Sequence, residues 1–72
     1  MGYIVYVRHG DLLQAESKAT KLAAVRQYKK LERAFAATGG WPDEYGWVIE
    51  SEASDYEKAA VGTVINLKEY QA

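Results

Sequence analysis

The chain opens on an unbroken apolar run, Tyr3-Ile4-Val5-Tyr6-Val7, closed by Arg8. Aromatic and β-branched residues on both faces of a two-residue period predict an interior strand. His9-Gly10-Asp11 breaks that pattern. Asp11 and Gln14 stand at the spacing of a capping box, in which side-chain oxygens satisfy the free N–H groups of a helix start, so a helix is expected to begin there or at Ser17. From Leu13, the residues Ser17, Thr20, Ala24, Tyr28, Leu31 and Phe35 recur every three or four positions and share one helix face. Their side chains are small at first and bulky at the end. The helix should therefore approach a sheet closely near Ala24 and bury most of its apolar area through Tyr28, Leu31 and Phe35. Thr38-Gly39-Gly40 ends it, because glycine accepts the left-handed conformation of a C-cap and Pro42 forbids continuation.

Tyr45-Gly46-Trp47-Val48-Ile49-Glu50 alternates, with Tyr45, Trp47 and Ile49 on one side, and predicts a second strand packed against the helix. Ser54 and Glu57 repeat the capping-box spacing ahead of Tyr56, Ala59, Ala60 and Val61, which predicts a short helix. Gly62 would terminate it, and Thr63-Val64-Ile65-Asn66-Leu67-Lys68 reads as a third strand ending near Tyr70. The competing reading makes residues 56–67 one long hairpin strand. The expected architecture is α+β, a small three-stranded and mostly antiparallel sheet with one long helix on one face, in the order β-α-β-(short α)-β. No linker, repeat or low-complexity run divides residues 1–72, so a single domain is expected.

Charge changes this picture more than bulk composition does. The net charge is −1, yet residues 12–37 carry six cations against two carboxylates and residues 38–72 carry two cations against seven carboxylates. On the long helix Arg26, Lys29, Lys30 and Arg33 fall opposite the apolar stripe, flanked by Ala19, Ala23 and Ala37, and form a cationic ridge of low relief. Such a ridge is either a solvated face or a docking surface for an acidic protein or a nucleic-acid backbone. A sequence pI near 5.7 and the acidic C-terminal half argue against nucleic acid unless the two charged regions face opposite ways. Trp47 belongs to the strand pattern and is expected in the core. Trp41, between Gly40 and Pro42, either lids the helix end or anchors a partner, as Trp and Tyr do at interface hot spots.

Arg8-His9-Gly10 at a strand end resembles the opening signature of the histidine phosphatase family, over Ile4 to Leu13. The resemblance implies a phosphoryl-accepting His and a phosphate-binding Arg, completed in that family by a second His and a second Arg late in the chain. Here His9 is the only His and no Arg follows Arg33. A solitary His without base, acid or anion pocket is a poor catalyst, so no enzyme activity is expected. His9 and Asp11 supply two metal ligands where three or four are usual. Gly39-Gly40 follows a helix rather than preceding one, as a phosphate loop would require. No cofactor or metal is expected.

The 72 residues are 49% hydrophobic and 26% charged, as in globular domains, and no stretch approaches the ~20 apolar residues that span a bilayer. Disorder and membrane insertion are not expected. Absence of Cys excludes disulfide staples and thiolate zinc sites, and absence of a secretion signal makes the cytosol the expected compartment. A chain this short buries only about 60% of its unfolded surface, so a homodimer is one way for it to gain stability. The expected role is that of a non-enzymatic protein-binding module, a small inhibitor or adaptor using Arg26, Lys29, Lys30, Arg33, Trp41 and Tyr45 to dock on a partner with an acidic surface. By size and composition alone this groups it with phage-encoded inhibitors such as anti-CRISPR proteins, and with antitoxins and immunity proteins. The alternatives are a nucleic-acid-binding protein using the basic helix face, and a self-assembling structural protein.

Overall fold

A computed structural model describes residues 2–70. In chain order the elements are strands β1 (Tyr3–His9) and β2 (Leu12–Lys18), helix α1 (Lys21–Thr38), strand β3 (Glu44–Ile49), a 3-10 turn at Glu50–Glu52, helix α2 (Asp55–Ala60) and strand β4 (Val64–Asn66). The sheet has four strands in the order β3-β1-β2-β4, every ladder antiparallel. The strand missing from the sequence-based expectation is β2.

Leu12–Lys18 is a strand, not a helix start, and the reason lies in the turn before it. His9 pairs with Leu12, leaving Gly10-Asp11 as a two-residue hairpin loop with Gly10 at φ 59. Glycine at the first central position of such a loop suits the right-handed twist of the joined strands. Once that turn closes, Leu13 and Ala15 fall on one side of the sheet, 4% and 7% exposed, and their burial outweighs the weak strand preference of Gln14, Ala15, Glu16 and Lys18. Helix α1 instead begins after Thr20, whose hydroxyl accepts from Ala23 N–H at 3.2 Å. It ends where expected, with Gly39 at φ 73 and its N–H donating to Phe35 O at 2.7 Å.

Alternation splits the sheet into two faces. Ile4, Leu13 and Ala15 form a buried cluster with Ala60 of α2, joined by Tyr6, Val48, Ala53, Ile65 and Leu67. Val5 and Val7 point to the opposite face and lie with Leu31 and Gln27 of α1 along one groove, while Tyr45 on the same side stacks on Tyr28. Thus α1 and α2 cover opposite faces. Ala24, fully buried, marks the close approach of α1; Phe35, expected in the core, is only half-buried. The short helix is present, with both halves of the Ser54–Glu57 capping box formed at 3.2 and 2.9 Å. The last strand is shorter than expected, Val64–Asn66. Among the described residues no helix is long and apolar enough to cross a membrane.

Candidate docking surface

The outer face of α1 carries Leu22, Arg26, Lys29, Lys30 and Arg33, all exposed. Among the described residues no carboxylate lies within salt-bridge distance of the four cations; the ion pairs present are Arg8–Glu44, Lys18–Glu16 and Lys68–Asp11. Arg26 with Lys30, and Lys29 with Arg33, stand four residues apart, where like charges repel. The helix therefore holds an unneutralised cationic row at some cost to its own stability. Leu22, 61% exposed, extends this face with an apolar residue that charge patterning does not reveal.

At the C-terminal end of α1 the aromatic residues meet. Trp41 is 52% exposed and packs on Phe35 and Tyr45, with ring centroids 5.8 and 6.0 Å away. It both lids the helix end and presents a large ring to solvent. Tyr45 is half-buried, stacked on Tyr28 at 5.3 Å and edge-on to Phe35 at 5.4 Å. Its hydroxyl donates to Glu32 Oε2 at 2.9 Å. Burial first, and then the bond to the Glu32 carboxylate, push that hydroxyl up to about 12. Tyr45 thus supports Trp41 from beneath, while the four cations stand on the other side of the helix. Trp47, expected in the core, is half-buried, edge-on to Tyr3 at 6.0 Å with Lys21 Nζ 5.6 Å from its ring centroid.

The acidic half of the chain lies elsewhere. Asp55 and Glu57 belong to α2, which packs Ala60 on the face of the sheet that α1 does not cover, while Asp43, Glu44, Glu50 and Glu52 flank the two ends of β3. The α2 carboxylates therefore face away from the basic row, and the remaining acids of this half are not gathered with them.

Arg8 and Gly10 form a structural joint with the start of β3, while His9 pairs with Leu12 in the hairpin. Arg8 Nη1 donates to Gly10 O at 2.7 Å, Arg8 Nε lies 3.5 Å from Glu44 Oε2, and Gly10 N–H donates to Asp43 Oδ2 at 2.5 Å. The Arg8 guanidinium is occupied in fastening the hairpin turn to the start of β3. Among the described residues no group of three or more His, Asp or Glu is placed to hold a metal ion. Between α1 and the β2–β4 half of the sheet runs an open groove of about 410 Å³ over Val5, Val7 and Leu31, bordered by the exposed Val64.

No family model, no curated protein and no solved structure matches the chain.

Proposed function

We propose that the protein is a non-enzymatic docking module, a small cytosolic inhibitor or adaptor, that binds an acidic surface of a partner protein through the outer face of α1 and the Trp41 ring. The observation that carries this reading is the row Arg26, Lys29, Lys30 and Arg33, exposed and unpaired at mutually repulsive spacings. A face that only needed solvation would be better served by alternating charges. Trp41, at the C-terminal end of α1 and across the helix from the row, adds a half-exposed aromatic of the kind that dominates hot spots, for a partner that wraps around that helix end. Grouping with phage-type inhibitors, antitoxins or immunity proteins rests on size and composition.

A second reading, nucleic-acid binding through the same row, gains from one observation. The acidic residues of α2 lie on the opposite face of the sheet, so they do not repel a phosphate backbone lying along α1. Affinity capture from a host lysate, with and without nuclease, separates the two readings. A defined protein retained after nuclease, and lost with Lys29→Glu/Lys30→Glu and with Trp41→Ala, supports protein docking. Retention that vanishes with nuclease and falls steeply with salt assigns the row to nucleic acid. Capture indifferent to both variants removes the α1 face from either role.

A further inference from the structure

We propose that the free edge of β3 is a strand-addition site for an extended segment of a partner protein carrying apolar residues at its centre and Lys or Arg at its ends. This deepens the protein-docking reading and rests on it, but uses a surface distinct from the α1 ridge.

The sheet order leaves β3 and β4 as edges. Strand β4 has three residues, too few to template another chain. Strand β3 has six. Glu50 N–H donates to Gly2 O at 2.9 Å, and bonds in an antiparallel ladder alternate. The pairs Ile4↔Val48 and Tyr6↔Gly46 therefore exchange the bonds to β1, and the N–H and C=O groups of Tyr45, Trp47 and Ile49 point outward. Among the described residues no backbone group pairs with them. A row of such groups is a template for one more strand.

Charge decides the occupant. Asp43 and Glu44 stand at one end of this edge, Glu50 and Glu52 at the other, all exposed. A second copy of β3, in either direction, would bring carboxylates against carboxylates at both ends, and like charges directly across a ladder are destabilising. Self-pairing is thereby discouraged. A strand with basic ends meets opposite charge instead, while its centre lies beside Tyr45, Trp47 and Ile49. Trp41, with its ring centroid 6.0 Å from that of Tyr45, offers a half-exposed aromatic surface near the Glu44 end.

The test titrates isotope-labelled protein with the synthetic peptide Lys-Lys-Val-Thr-Val-Ile-Val-Lys-Lys, the same peptide with Glu at all four end positions, and a lysine-ended version N-methylated at alternate central amides. The lysine-ended peptide is expected to bind saturably, to shift the amide signals of Tyr45, Trp47 and Ile49 and to slow their hydrogen exchange. The glutamate-ended peptide should bind about tenfold more weakly, and N-methylation should abolish binding. Equal binding of the two end chemistries, retention by the N-methylated peptide, or unchanged exchange at those three amides would overturn the proposal. Shifts confined to α1 would do so too, even with the ridge still a docking face. Loss of partner capture on Lys29→Glu/Lys30→Glu bears on the ridge alone, so the two proposals fail separately.

Discussion

The Tyr45 hydroxyl reaches Glu32 Oε2 at 2.9 Å, and this one bond ties the edge strand β3 to the helix that bears the basic row. Glu32 is the only carboxylate on α1, and it is turned inward to a phenol rather than outward to the cations around it. The helix thus uses its acid for fastening and leaves its bases free.

That bond makes a prediction about alkaline pH. The Tyr45 hydroxyl is raised from an ordinary 10.0 to about 12, so the folded state favours its neutral form more than the unfolded state does. The resulting stability is fully present below pH 10 and declines as pH rises toward the folded value near 12. Tyrosinate absorbance should show a late-titrating group that Tyr45→Phe removes, and the variant's stability should fall less steeply over the same interval. An unchanged titration curve would show that the bond does not hold the proton.

The two glycines Gly10 and Gly40 should respond differently to alanine. At Gly10 a Cβ meets nothing within 4 Å, yet φ is +59, so Gly10→Ala is expected to cost about 1–2 kcal/mol through backbone conformation alone. Gly40 has no positive φ, and its Cβ would meet Thr38 Oγ1 at an ordinary 3.5 Å, so Gly40→Ala should stay within about 0.5 kcal/mol. Chemical denaturation of both variants decides it; equal costs would mean that the hairpin turn is not what positions β2.

For the basic row, stability and binding should move in opposite directions. Lys30→Glu places a carboxylate four residues from Arg26 and three from Arg33, turning two repulsive spacings into attractive ones, and should stabilise the protein by about 0.5–1 kcal/mol. Partner capture should weaken at the same time. A loss of stability would indicate that Lys30 serves the fold and is not being held there for a ligand.

Helix α2 is six residues long, well below the length at which a helix persists alone, so its cap should matter. Ser54→Ala removes the hydroxyl that accepts from Glu57 N–H and is expected to cost about 1 kcal/mol. Faster amide exchange at Lys58 and Ala59 should accompany it, with exchange in α1 changed only by the global loss. If α2 exchanges no faster than before, packing of Ala60 rather than the cap holds it.

Local patterning made β1, α1 from Thr20 onward, β3 and α2 legible, since each carries its period and its start or stop residue within its own span. It misread β2 because Asp11-to-Gln14 mimics a capping box, and Leu13, Ser17 and Thr20 happen to fit a helical period. Ala15, a good helix former, sits in a strand because its small side chain lets α2 bring Ala60 close. The overlooked signal was Gly10-Asp11 between two apolar residue clusters, a hairpin loop in its own right. Of the proposed docking face, the cations could be placed from helical spacing, whereas the exposure of Leu22 and the half-burial of Trp41 depend on tertiary packing. The free edge of β3 follows from strand order, which no stretch of β3 itself encodes.

The separation of charge across the sheet has a consequence for how the molecule meets anything at all. Screening in physiological salt acts over about 8 Å, so a body approaching one side feels that side's sign and little of the other. A net charge of −1 therefore describes neither encounter. Such a molecule is expected to be oriented by an approaching field as well as attracted by it. Its association rates should depend on salt through orientation, and it should be retained, each time by a different face, on both anion and cation exchangers.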